Sequence, residues 1–161
     1  AYMVMSNLVG VPAAPLMMTD ISGKPSPLYN MDAAFTVVAF WDPTCGHCQH
    51  ELPRIDSIYQ AKWKSEGVKI YAVLTDNSVK PQWEKFIKDH QLTEWTHVYE
   101  PDDLEKKIKE SNQPSYRQLY DVIQTPTIYL LDKDKRIIAK KLTIEQLDDV
   151  ISTKLKTASK G

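Results

Sequence analysis

Cys45-Gly46-His47-Cys48 places the only two cysteines of the chain three positions apart. On the first turn of a helix that spacing lets two sulfurs meet and close a disulfide without unfolding anything. The chemistry such a pair supports is reversible thiol–disulfide exchange, in which a thiolate is the nucleophile. If a helix starts near Cys45, unpaired backbone N–H groups and the positive end of the dipole point at its sulfur and favour the thiolate. His47 lies between the two; an imidazolium there favours the thiolate further and makes the disulfide more oxidising, whereas an exposed polar spacer does neither. Glu51 is the nearest helical acid able to take or return a proton during exchange, its alternative being a solvated surface carboxylate. Asp42 either opposes the thiolate from inside or caps the helix, and capping is the expected role. Pro43 is placed to start the first turn, and Pro53 to kink the helix after it.

Metal binding is the rival use of such a pair. A closed zinc site needs four ligands, and the other candidates are His47, His50, His90 and His97, the last two more widely spaced than in common finger motifs. Structural zinc is therefore disfavoured. A copper-binding metallochaperone using Cys45, Cys48 and a histidine stays open, because thiolates and imidazoles suit that metal.

The elements that must position these residues belong to an ordinary globular chain. Its 161 residues carry a formal charge of -1, with 42% hydrophobic and 25% charged residues, so a packed core is expected and no net field attracts nucleic acid. Two cysteines are too few for a disulfide framework. The stretch Ala1 to Thr19 carries no charged side chain, but Gly10, Pro12 and Pro15 interrupt it and no basic segment precedes it. It reads as a folded extension. The chain begins with Ala1, which suggests a processed or excised piece, with any export signal or anchor in the missing part.

Periodicity alternates between strand and helix. Residues 33–41 are almost wholly apolar and rich in β-branched and aromatic side chains, as a central strand buried on both faces should be. Leu52, Ile55, Tyr59 and Trp63 follow at helical spacing, and Gly67 stops the pattern. A strand over 68–74 comes next, then a helix opened by Pro81 with Trp83, Phe86, Ile87 and His90 on one face. A short strand near 97–99 and one or two helical segments lead to Tyr120; the mixed charges of 102–110 read as a solvated face. Residues 127–131 and 136–142 form an antiparallel hairpin about Asp132-Lys133-Asp134-Lys135. Thr143 and Gln146 stand in capping-box spacing ahead of a last helix with Ile144, Leu147, Val150, Ile151 and Leu155 on one side. The order is β-α-β-α-β-α-β-β-α after an extension: an α/β sheet with helices on both faces.

Phe40-Trp41-Asp42-Pro43-Thr44-Cys45-Gly46-His47-Cys48, followed by Glu51-Leu52-Pro53, resembles the active-site segment of the thioredoxin superfamily, and the Glu-x-Pro ending is similar to its TlpA/ResA-like branch. Val9 to Pro15 and Ile21 to Lys24 resemble the lead-in hairpin of that branch. Tyr120 to Thr127, then Leu130-Leu131-Asp132, resemble the segment that carries the family's cis proline. The resemblance implies a thioredoxin fold, a central mixed β-sheet flanked by helices with an N-terminal β-hairpin extension. It implies a single domain over 1–161, with the extension at 1–32 and the thioredoxin core at 33–157. Cys45 is then the nucleophile, Cys48 the resolving thiol and Glu51 an acid tuning their protonation. Trp41, Gly46, His47, Thr125 and a cis Pro126 form the substrate surface, with the Thr125 backbone pairing with an extended chain. The activity implied is thiol–disulfide oxidoreductase, without metal or dissociable cofactor. Its partners are protein thiols or disulfides and an upstream redox partner. A membrane tether lies outside this segment, and the location is periplasmic or otherwise extracytoplasmic, in a bacterium.

Departures from the pattern matter too. Ala39 stands where thioredoxin keeps a buried acid, Thr44 replaces the usual aromatic, and 94–114 match weakly. A thiol peroxidase, a second enzyme reading because the superfamily contains peroxiredoxins, is disfavoured: their usual signature puts Pro seven and Thr three residues before the reactive cysteine, where this chain has Val38 and Asp42.

Overall fold

The computed structural model describes residues 7–160. The first six residues of the stretch read as a folded extension, and Gly161, lie outside the described residues. The chain forms β1 (Thr19–Asp20), β2 (Phe35–Trp41), α1 (Gly46–Ile58), β3 (Val68–Leu74), α2 (Lys80–Asp89), β4 (Thr96–Tyr99), α3 (Asp102–Glu110), α4 (Tyr116–Leu119), β5 (Thr127–Leu131), β6 (Ile137–Lys140) and α5 (Ile144–Lys160). The sheet order is β1-β4-β3-β2-β5-β6. β2 is parallel to β3 and antiparallel to β5, and all seven of its residues are buried. The apolar run that marks it as central in the sequence has this cause: a strand covered on both faces has no position for a polar side chain facing water.

Strand alternation divides the interior in two. Phe35, Val37, Ala39 and Trp41 face one cluster, shared with Cys48, Leu52 and Ile55 of α1, Trp83 and Ile87 of α2, and Ile144, Leu147 and Ile151 of α5. Val38 and Phe40 face the other, built with Tyr116, Tyr120 and the extension residues Ala13, Leu16, Met18 and Leu28. Thr143 and Gln146 form the expected reciprocal cap of α5, at 3.2 and 2.9 Å. α3 buries no residue, in keeping with a solvated charged face.

Two details differ from the sequence reading. The helix expected to run evenly through Trp63 is α-helical only to Ile58; Tyr59–Trp63 form a π turn, with Lys64 N–H donating to the Tyr59 carbonyl at 2.8 Å. The widened turn accompanies burial of Trp63, whose Nε1 donates to Asp148 of α5 at 3.1 Å. Gly67 then ends the segment at φ +81, where an added Cβ would stand 3.2 Å from that of Ala34.

The extension is the second. It does turn back on itself at Asp20–Lys24, with Ser26 N–H on the Met18 carbonyl and Leu28 N–H on that of Leu16. Yet its strand β1 is two residues long and pairs with β4, while residues 10–13 run along β6, Gly10 N–H reaching the Ile137 carbonyl at 2.7 Å. One segment thus covers both edges of the sheet, which would otherwise present unpaired N–H and C=O groups.

Candidate active site

β2 ends at Trp41, and the next four residues form a tight turn into α1. Asp42 Oδ1 accepts from the Thr44 N–H at 2.8 Å and the Thr44 hydroxyl at 2.7 Å, and Cys45 N–H donates to the Asp42 carbonyl at 3.1 Å. This corrects the expected roles of Asp42 and Pro43. Asp42 caps the turn before the helix, and Pro43 lies inside that turn, ahead of the first helical residue. The N-cap of α1 is Cys45 itself, its Sγ accepting from the Cys48 N–H at 3.4 Å. Gln49 Nε2 donates to the Pro43 carbonyl at 2.8 Å and pins the turn to the helix, a contact without any readable signal in the sequence.

The two sulfurs have opposite surroundings. Burial works against ionisation of Cys45, but the Thr125 side chain, the Cys48 N–H, the Cys48 thiol and the His47 N–H together outweigh it and hold its thiol below the ordinary value of 9.0. Cys48 is fully buried against Leu52 and Ile55, and that burial pushes its thiol up to about 12. Across from them, the Thr125–Pro126 peptide bond is cis, and the Cys45 thiol donates to the Thr125 carbonyl at 3.4 Å. The fold therefore brings Cys45, Cys48, Thr125 and Pro126 together, with Gly46 and His47 exposed at the rim. His47 acts on the sulfur through its backbone N–H, as part of the helix terminus.

Trp41 departs from its expected place on the substrate surface. It has no exposed area, belongs to the cluster beneath Cys48 and packs on Phe86 at 5.3 Å between ring centroids. Strand alternation explains this: Trp41 shares its face of β2 with Val37 and Ala39, which point into the core. Glu51 Oε1 and Oε2 accept from Arg54 Nη1, at 3.1 and 3.0 Å, and Arg54 Nη2 in turn donates to Glu145 of α5. The Glu51–Arg54 spacing of one helical turn is the sequence signal for that pair; Glu145 is too distant in the chain to have one.

Among the described residues, no group of three or more His, Cys, Asp or Glu side chains is arranged to hold a metal ion. His97 is buried elsewhere, bonded to the Leu92 carbonyl at 2.6 Å, while His50 and His90 are exposed.

A two-cysteine helix terminus facing a cis proline, on a mixed sheet with helices on either side, defines a class: the thioredoxin-fold thiol–disulfide oxidoreductases. Comparison with known proteins narrows it. The model of the AhpC/TSA family matches residues 9–140, and the chain belongs to that family, within its TlpA/ResA-like oxidoreductases. It is 33% identical over 144 residues to the sporulation thiol-disulfide oxidoreductase A of Bacillus subtilis, covering 86% of this chain and 78% of that one. It is 28% identical over 149 residues to the thiol-disulfide oxidoreductase ResA of Bacillus thuringiensis, covering 89% and 76%. A crystal structure of a domain of a possible thiol-disulfide isomerase from Cytophaga hutchinsonii superposes with a TM-score of 0.77 at 32% identity, covering 96% and 97% of the two chains.

Proposed function

We propose that the chain exchanges electrons with protein disulfides through Cys45 and Cys48. The Cys45 thiolate attacks one sulfur of the partner's disulfide; a Cys45–partner bond forms and the partner's other sulfur leaves as thiolate. Cys48 then loses its proton and attacks the Cys45 sulfur, releasing the second partner thiolate and closing Cys45–Cys48. Two electrons have passed to the partner, and an upstream thiol donor must return them. One observation carries this reading: the same helical turn holds one sulfur as an accessible N-cap below its ordinary ionisation range and the other as a buried thiol held protonated up to about 12. The first attacks, and the second waits until a mixed disulfide makes a nearby electrophile.

Thr125 and Pro126 support alignment of an extended partner segment over Cys45, with Gly46 and His47 as its rim. Glu51, steadied by Arg54, is the nearest helical acid to the pair and is assigned proton transfer to or from Cys48. The relatives' names, thiol-disulfide oxidoreductase among them, support protein thiols and disulfides as partners. By the same resemblance, the reaction belongs outside the cytoplasm, with any membrane tether beyond this segment and the whole of 1–161 acting as one domain. Among the described residues no helix is long and apolar enough to cross a membrane.

Mixed-disulfide trapping tests the assignment. Cys48→Ser should accumulate a covalent adduct with a disulfide-bearing protein, and Cys45→Ser should accumulate none. Equal trapping by both variants overturns this division of roles between the two sulfurs.

A further inference from the structure

β3 and β4 both run parallel to the strand that delivers Cys45, so the residues following them emerge at the same end of the sheet. There they enclose a polar recess of about 380 Å3. One wall is tied directly to the active-site strand: the Thr75 N–H and hydroxyl both donate to the Trp41 carbonyl, at 3.0 and 3.1 Å. Beside it stands Arg117 of α4, which donates to the Thr75 carbonyl and lies over the Tyr116 ring at 4.8 Å.

Four carboxylates line this space: Asp76, Glu100, Asp102 and Glu105. Asp76 is occupied by the Ser78 N–H and hydroxyl, at 2.9 and 2.6 Å, and Asp102 accepts from Asn77 Nδ2 at 2.9 Å. Glu100 differs. It is 7% exposed, lines the recess, and its carboxylate has no hydrogen-bond or ion-pair partner among the described residues. Burial, then the charge of Glu105, raise its carboxyl above the ordinary range, and Arg117 only partly opposes them. The Glu100 oxygens are not among the side-chain atoms sealed from water without a partner, so they meet only solvent in the recess, and a cation supplied from outside gives this partly desolvated carboxylate the partner it lacks.

We propose that this recess receives the ammonium or guanidinium of a lysine or arginine on the disulfide-bearing partner, beside the cysteine that the partner presents to Cys45. Such a contact rests on the exchange reaction proposed above and adds a charge preference to it. The acids outnumber Arg117, whose guanidinium is already engaged, so the recess favours a cation over an anion. Among the described residues no group of three acids is arranged for a metal ion, which leaves an organic cation. A side chain held this way fixes the register of the partner segment, since it anchors a second point besides the reacting sulfur.

The test uses three cystine peptides that differ only in one residue near the disulfide, a lysine, a norleucine or a glutamate, with kcat/KM measured for reduction by the full chain in its dithiol form. The lysine peptide should be preferred over the norleucine peptide by about tenfold, the worth of one charge-assisted contact. In Glu100→Gln that ratio should fall to near one. Glu105→Gln, at the exposed rim, should lower it partway, and serves should the buried substitution fail to fold. Equal rates for lysine and norleucine, a preference for glutamate, or a ratio unchanged in both variants each overturn the proposal. Reduction of hydroxyethyl disulfide by the unaltered chain is read in parallel: failure there overturns the exchange reaction itself, whereas normal turnover with no lysine preference overturns the recess alone.

Discussion

The rim and the inner face of the first turn of α1 hold identical side chains and treat them in opposite ways. At the rim, Cys45 collects N–H donors that exist because a helix has just begun. One turn inward, Cys48 meets Leu52, Ile55 and β2, which offer little to stabilise a charge. The asymmetry of this two-cysteine site thus follows from helix geometry and needs no special residue between the cysteines. The N-cap supplies donors to one sulfur, and the core excludes water from the other.

The most direct way to break this contrast is to remove one sulfur. Cys45→Ser should lower disulfide reduction by about a thousandfold or more, because its thiolate is the proposed attacking group; turnover of insulin disulfides measures it. Alkylation of the dithiol form by iodoacetamide sharpens the contrast. Below pH 8 Cys45 should react far faster than Cys48, since one thiol is held below its ordinary 9.0 and the other is pushed up to about 12. Comparable rates would mean that the inner face does not exclude charge.

Stability reads the same difference through protons. A thiol raised from 9.0 to about 12 binds its proton more tightly when folded, so its contribution is complete below pH 9 and is lost as pH climbs toward 12. Cys45, lowered, contributes with the opposite sign, gaining as pH rises toward 9.0. Denaturant unfolding of the dithiol protein against Cys48→Ala should therefore show an advantage that shrinks above pH 9. Leu52→Ala, which removes the packing beneath Cys48, should cost about 2–5 kcal/mol in the same assay and speed alkylation of Cys48. Smallest is the rim charge pair. Arg54→Ala should shift the unfolding midpoint least of all, because the side chain is 44% exposed and its ion pairs are screened.

Much of this is legible in the chain itself. The apolar run before Trp41 marks the central strand, Leu52 and Ile55 mark the buried face of α1, and Thr143 with Gln146 marks the start of α5. Each signal lies within a few residues of the feature it reports. Trp41 is not legible in the same way, because an aromatic beside a reactive cysteine suits either a surface or a core, and the face of β2 decides between them. Asp42 is ambiguous for a related reason: Asp is equally at home in a turn and at an N-cap.

What the sequence determined by itself is therefore local: the alternation of elements, the two cysteines one turn apart, and a helix beginning at the first of them. Such features depend on neighbouring residues and are settled by propensity and capping. Tertiary structure decided that Thr125 faces Cys45 from 80 positions away, that one extension closes both edges of the sheet, and that Glu100 lines a recess with other acids. Those outcomes join segments remote in the chain, and which remote segments meet is set by the packing of two cores on one sheet rather than by any short run of residues.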